Sequence, residues 1–538
     1  MRGSEAVAAA LVGSGIDTVF SVPGDGNLHI DYALAQDPRV TYVKAVREDG
    51  AVMMADGFAR ATGRLAAASV TRGPGLTNAI TAITSAVRHR TPMLVLTAEE
   101  ARNVKHHFQS IDVAAVVGPT GAELLRVERI DRIGEDLAEA ARLAWGRRLP
   151  VVAVVPMDVQ TADVPSTGLA QSRVEIPLSD AAPGGTSLDT AVGLLASARR
   201  PLVLAGKGAA QSGAREEILD LARRLGAPVC TTAPVKDFFQ GDEFNLGIIG
   251  SLGSEVAQEA VAAADCVLVF GASLNDKTCM FDWVASGKTV VQCDSDLAAL
   301  GRYQPVTAGV AGDARAAAAA ITTWLTELDL KPADGRSTEL ARKLAQQAEQ
   351  RQRLAKSTSM TMRTFLTRLD TMLPSTRNLV TDGGRFFGTA TRCLSAPEPG
   401  IFLWTLGFGS IGLGLGTAIG GAFARRDTPT VVVVGDGGFM MSAPELSTAV
   451  RYGLDLITVV MNDGSYGAEY GKLVAEGMDP GITLFEWPEI ARLGDALGAD
   501  SIIIRNLDSD MGPLAKLIAE RSGPVLIDAR FDPALAMR

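Results

Sequence analysis

VVVVGDGGFMM, residues 431–441, drives four valines into an aspartate fenced by glycines, and the reading of that junction decides the fold. A continuous β-branched run stopping at Gly435-Asp436 is the pattern of a strand buried on both faces, as in a parallel sheet covered by helices. A carboxylate at such a strand end faces the crevice in which ligands of open α/β sheets bind. Gly437 and Gly438 let backbone amides approach an anion, and the helix predicted to follow adds the field of its N-terminus. A carboxylate beside an anion site calls for a cation between the two, and magnesium takes oxygens from both in an octahedron. The next apolar run, LITVVMND, ends on Asn462 and Asp463, 27 residues after Asp436 (463 − 436). One helix and one strand fill that interval, so the two acids arrive at neighbouring strand ends.

The same grammar extends outward in both directions. AAASVTRG, MLVLTAE, VVAVVP, PLVLAGKG, CVLVFGA, TVVQCD, NLVTDGG and PVLIDAR are short β-branched runs closed by Gly or Asp and separated by helical patterns. They predict an α/β chain of doubly wound parallel sheets. At 538 residues the chain is too long for one core. Two composition shifts, over 160–187 and 329–337, divide it into domains over 1–165, 188–328 and 350–538. Ser4 is the expected N-cap of a first helix that stops at Gly13 and Gly15.

Composition narrows the function classes. The net charge of −10 and a sequence pI near 5.2 argue against nucleic acid, whose phosphates demand a basic face. The five cysteines form no C-x-x-C pair, and with four histidines a His/Cys zinc site is not expected. Free thiols in apolar surroundings predict a reducing, cytoplasmic location. Residues 403–424 carry no charge and are long enough to span a bilayer, but seven of these 22 residues are glycine, which suits a loop entering a helix. No membrane partner is expected. A rival reading takes GFGSIG, Gly407 to Gly412, as a dinucleotide fingerprint with Asp436, 24 residues beyond Gly412 (436 − 412), on a ribose. It accounts for neither the glycines around Asp436 nor the second carboxylate at the following strand end.

The stretch VVGDGGFMMSAPELSTAVRYGLDLITVVMNDGSYG resembles the GDG…N motif of thiamine-diphosphate enzymes of the acetolactate synthase and benzoylformate decarboxylase type. The resemblance covers nearly the whole chain and implies three domains in order: pyrimidine-binding, central and diphosphate-binding. It implies Mg2+ held by the side chains of Asp436 and Asp463 and by the carbonyl of Ser465. The family usually has a second Asn where this sequence has Asp463, an extra negative charge beside an anionic diphosphate. Either Asn462 enters the site or nearby donors offset the charge. Gly384, Gly409, Gly437, Gly438, Tyr466 and Gly467 are implied to line the cofactor, and Ile411 to prop it in a bent form.

VKAVREDGAVMMADGFAR, residues 43–60, resembles the segment carrying the family's activating glutamate, here Glu48. That acid hydrogen-bonds the aminopyrimidine, and partial desolvation is expected to raise its pKa. On the bland reading Glu48 only caps a helix over Gly50 to Arg60. TRGPGLTNA, residues 71–79, resembles the turn beside the pyrimidine, with Gly73 shaping the corner and Asn78 within reach of cofactor or helix end. VPGDGN, residues 22–27, offers Pro23 to the same pocket. In HHFQSIDVAAVVGP, residues 106–119, His107 resembles a decarboxylase histidine, and Gln109 resembles a pocket residue of acetolactate synthases.

The implied reaction is addition of the cofactor to a 2-oxo acid, loss of carbon dioxide and transfer of the acyl-anion equivalent to a carbonyl acceptor. Protonation in its place releases an aldehyde. A catalytically silent cofactor-binding relative is the non-enzyme alternative. FAD stays open, because SLND stands after FGA where an arginine-rich stretch is expected. The resemblance also implies a homodimer or homotetramer.

Overall fold

The computed structural model describes residues 1–164, 183–396 and 401–534. The boundary expected over 160–187 lies largely outside them. The described residues form three six-stranded sheets, all parallel, with helices on both faces.

The first sheet contains β1 (Thr18–Ser21), β2 (Thr41–Lys44), β3 (Ala66–Ser69), β4 (Met93–Thr97), β5 (Glu123–Arg126) and β6 (Pro150–Val154), in the order β2-β1-β3-β4-β6-β5. The second contains β7 (Pro201–Ala205), β8 (Val229–Thr231), β9 (Asn245–Ile248), β10 (Cys266–Phe270), β11 (Thr289–Asp294) and β12 (Ala308–Ala311), ordered β12-β11-β10-β7-β8-β9. The third contains β13 (Asn378–Thr381), β14 (Phe402–Trp404), β15 (Thr430–Gly435), β16 (Leu456–Asn462), β17 (Asp500–Ile504) and β18 (Val525–Arg530), ordered β14-β13-β15-β16-β18-β17.

The first and third sheets therefore share one winding, and the central sheet has another. In the outer two the strand order reverses between the first and third strands, β1/β3 and β13/β15. Crevices open at such points because the connecting helices leave to opposite faces. In the central sheet the matching point lies between β7 and β10, where glycine meets glycine: a Cβ on Gly206 would fall 2.4 Å from Gly271 O.

VVVV is the interior of β15 and is wholly buried, as a strand covered on both faces must be. It pairs with β16 from Thr430↔Leu456 to Gly435↔Met461, which brings Asp436 and Asp463 to the same edge. The uncharged 403–424 segment is a strand end, a loop and the Gly414–Ala424 helix; among the described residues no helix is long and apolar enough to cross a membrane. That helix packs against the Glu48–Thr62 helix of the first sheet's domain. Met53, Met54, Leu415 and Ile419 are fully buried in the same apolar cluster, each worth about 1.5–3 kcal/mol. Its glycines make the contact possible, since a Cβ on Gly420 would fall 1.9 Å from Met54 O. GFGSIG follows the edge strand β14 and not a strand at the reversal point, so it lacks the setting of a dinucleotide fingerprint.

Two local expectations change. The first helix spans Gly3–Gly13 with Arg2 at the N-cap, whose N–H donates to Glu5 Oε2 at 2.8 Å, so Ser4 lies inside the helix. The second helix at the site begins on Glu48 itself and runs to Thr62, with Arg47 at its cap. All five cysteines are buried free thiols.

Candidate active site

Two clusters of candidate side chains stand at strand ends beside the two matching reversal points. At the third sheet, Asp436 is the first residue of the Asp436–Ser442 helix and is 2% exposed. Its Oδ1 accepts from Gly437 N at 2.8 Å and its Oδ2 from Trp487 Nε1 at 3.1 Å. Burial, and then the facing charge of Asp463, push its pKa up to about 7 against the pull of those N–H groups and of Gly464 N. Two buried acids in this relation are a donor set that a divalent cation stabilises. Among the described residues no group of three or more His, Cys, Asp or Glu stands ready to hold a metal. A cation here would complete its shell from backbone carbonyl and ligand oxygens, as magnesium does beside a diphosphate.

Small residues keep the floor of this site clear. A Cβ on Gly437 would fall 2.4 Å from the Tyr466 ring, and one on Gly438 would fall 2.8 Å from Asp382 Oδ2. Gly384 has φ of +145° beside the Phe386 ring. Asp382, fully buried at the end of β13, accepts from Thr405 Oγ1 at 2.7 Å and from Gly412 N at 2.7 Å. Burial raises its pKa. It thereby pins the loop that carries Gly409 and Ile411, and Ile411 Cγ2 stands 3.1 Å from where a Cβ on Gly383 would be. From the other side, Arg60 NH1 donates to Trp404 O at 3.0 Å, and the His89 ring fills the space that a side chain at Gly407 would need. The rings of Tyr466, Phe485 and Trp487 pack in series, with centroids 4.6 and 4.7 Å apart. A cleft of about 360 Å³ opens beside them, lined in part by Asp463, Gly464, Trp487 and Arg530.

The extra charge at 463 meets a cation within the chain. Arg385 Nε donates to Asp463 Oδ2 at 2.6 Å, while Oδ1 accepts from Ser465 Oγ at 2.7 Å and Ser465 N at 3.1 Å. Asn462 lines the same cleft, donates to Asp528 Oδ1 at 2.8 Å and accepts from Gly464 N at 3.3 Å.

At the first sheet, Glu48 and Asn78 meet: Asn78 Nδ2 donates to Glu48 Oε2 at 3.2 Å. Gly73, with φ of +60°, closes the turn after β3 against Gln109 O, 2.4 Å from where a Cβ would sit. Arg72, buried, gathers the rest. Its Nε donates to Gln109 Oε1 at 3.2 Å, NH2 lies 3.2 Å from His107 Nε2, and it pairs with Asp25. His107 Nδ1 accepts from Gln109 N at 3.2 Å and lies 3.7 Å from Glu100 Oε1. Pro23 is exposed on the loop after β1. Glu445, from the third sheet's domain, reaches across and accepts from Val46 N at 3.0 Å and Arg47 N at 2.8 Å, directly before Glu48. Among the described residues no hydrogen bond or ion pair joins Glu48 or Asn78 to Asp436 or Asp463.

Sequence reasoning missed Asp382, Arg385, Glu445 and Trp487. Asp382 was visible as a strand end, NLVTDGG, of the same form as VVVVGDGG. Arg385 could have been sought as the cation that an aspartate at 463 requires. Nothing in local pattern marks Glu445 or Trp487.

Comparison with known proteins gives matches in chain order. Residues 1–116 match the thiamine pyrophosphate enzyme N-terminal TPP binding domain, 188–321 the central domain, and 382–529 the C-terminal TPP binding domain. A probable acetolactate synthase large subunit of Methanocaldococcus jannaschii is 28% identical, covering 100% of this chain and 93% of that protein. A sulfoacetaldehyde acetyltransferase of Rhodobacter capsulatus is 30% identical, covering 99% and 95%. A probable 2-ketoarginine decarboxylase of Pseudomonas aeruginosa is 29% identical, covering 93% and 88%.

Proposed function

The chain belongs to the thiamine pyrophosphate enzymes, and on that premise we propose that it carries thiamine diphosphate and Mg2+ at Asp436, and acts as a carboligase on a 2-oxo acid and a carbonyl acceptor. The observation that carries this reading is the meeting of Asp436 and Asp463 at adjacent strand ends, over a floor of glycines at the reversal point of the third sheet. Asp436, Asp463 and the Ser465 carbonyl would hold the cation. The glycines at the start of the Asp436 helix would let the diphosphate approach the backbone. Ile411 supports the body of the cofactor, pinned from below through Asp382.

When bound, thiamine diphosphate supplies a carbon nucleophile and an electron sink. Glu48 would hold the proton exchanged with the aminopyrimidine, with Asn78 fixing its Oε2 and Glu445 fixing the backbone that leads into it. Arg72 holds His107 and Gln109 together beside the Gly73 turn, and the reading has them meet the substrate. The reading includes a homodimer, as the family likeness implies, in which the first domain of one subunit closes over the third domain of its partner. Phe108, 91% exposed beside His107, is the kind of apolar surface such a closure covers.

A second reading, decarboxylation with aldehyde release, is favoured by His107, an imidazole with Glu100 beside it, of the residue type that delivers protons. Product analysis separates the two. The protein is incubated with thiamine diphosphate, Mg2+ and a panel including pyruvate, benzoylformate, sulfoacetaldehyde and 2-ketoarginine, and carbon dioxide and products are measured. Carboligation predicts a new carbon–carbon bond when an acceptor is present. Glu48→Gln should lower turnover by about 100- to 10,000-fold while cofactor binding persists. Turnover surviving that change overturns the role given to Glu48, and no reaction across the panel counts against the whole reading.

A further inference from the structure

We infer that Arg385 is a positioning residue for the cofactor site, forming with Asp463 a neutral pair that presents the polar face a single asparagine would present. The inference rests on the reading above and deepens it. Asp463 follows β16 and Arg385 follows β13, and the turns after these two strands bring the side chains into contact. Nε and NH2 of Arg385 lie 2.6 and 2.5 Å from Asp463 Oδ2. The side chains are 12% and 4% exposed, so water screens the pair little.

The arginine is built in. Its NH1 donates to Pro533 O at 3.1 Å, its guanidinium carbon lies 5.5 Å from the centre of the Tyr470 ring, and its stem fills the space over Gly467. A Cβ on Gly467 would fall 2.4 Å from Arg385 Nε, so glycine at 467 is what lets the arginine lie there. Two carboxylates and a diphosphate carry more negative charge than one Mg2+ cancels. Arg385 removes one of those charges from the sum, leaving Asp436 as the net anion that faces the metal. The arginine in the turn TDGGRFFG thus supplies the charge that an aspartate at 463 requires.

The test is a mutant cycle read by direct binding. Calorimetry measures thiamine diphosphate affinity at saturating Mg2+ for the wild-type protein, Arg385→Gln, Asp463→Asn and the double variant; melting without ligand checks each fold. Arg385→Gln, which leaves Asp463 facing the diphosphate unpaired, should weaken binding at least about tenfold. The same change made in the Asp463→Asn background should cost less than about threefold, because no charge is then left to compensate. Equal losses in both backgrounds would mean that Arg385 acts on the diphosphate itself, and would overturn the inference. So would an Arg385→Gln affinity equal to wild type. Arg385→Lys keeps the charge and covers the case in which Arg385→Gln does not fold: it should bind within about fivefold of wild type, and a larger loss contradicts charge compensation. Failure of the wild-type protein to bind thiamine diphosphate with Mg2+ counts against the proposed function instead.

Discussion

Replacing Glu445 by alanine should loosen the segment that delivers Glu48, although the two side chains belong to different domains. Glu445 is 1% exposed, and its Oε1 accepts from Val46 N and Arg47 N while its Oε2 accepts from Thr448 Oγ1 at 2.8 Å. Those two backbone groups stand just before a helix whose cap residue, Arg47, accepts no backbone N–H with its side chain, so the carboxylate does the work of a cap from across the interface. Hydrogen bonds to a charged acceptor are worth about 1.5–3 kcal/mol each, so two amount to about 3–6 kcal/mol. Water replaces part of this, since Val46 is 42% exposed, and burial already raises the pKa of Glu445 and weakens its charged form. A net destabilisation of about 2–4 kcal/mol follows for Glu445→Ala, and a smaller one for Glu445→Gln, whose Oε1 still accepts from both amides. Amide exchange at Val46 and Arg47, melting of the cofactor-free protein and turnover are the measurements. The alanine variant should lose protection at both amides and lose turnover beyond what the melting shift explains. Unchanged exchange and turnover would refute the argument that this carboxylate positions Glu48.

Two further outcomes test the packing and the buried charge. Gly420→Val should lower stability by about 1–3 kcal/mol or more, because its first side-chain carbon falls 1.9 Å from a backbone oxygen that cannot move aside; a variant melting with wild type would show that the two helices separate freely. Asp31, 3% exposed and held by Ser21 Oγ and Ser69 Oγ at 2.7 Å each, has its pKa raised to about 6, chiefly by burial. The folded state then holds this proton more tightly than the unfolded one, so its contribution to stability is present below pH 4 and is lost as pH rises toward 6. The loss is on the order of 3 kcal/mol, and Asp31→Asn should gain on wild type by that amount between pH 4 and 7, measured as the difference in unfolding free energy. A difference that does not change with pH would contradict the assignment.

What could be read from the chain divides by distance. Strands such as VVVV, CVLVF and VVAVV declare themselves because burial on both faces leaves no room for alternation, and the residues closing them declare where the ligand edge lies. Asp436 and Asp463 were legible together because a single helical crossover, broken in the structure into the Asp436–Ser442 and Leu446–Arg451 helices, and one strand separate them, and local geometry alone fixes their register. Glu445 and Arg385 were not, because each acts on a partner about 400 or 78 residues away, and no local period encodes a contact of that span. The pair at 385 and 463 shows what closes part of the gap. A buried charge that breaks a pattern is a demand for its opposite, so Asp463 predicts a cation near by, and only the sheet order says that the turn after β13 supplies it. The same logic explains why the uncharged 403–424 segment misleads in isolation: its Gly416 and Gly420 let the helix carrying Glu48 approach, and the contact of Gly420 with Met54 spans 366 residues of sequence (420 − 54).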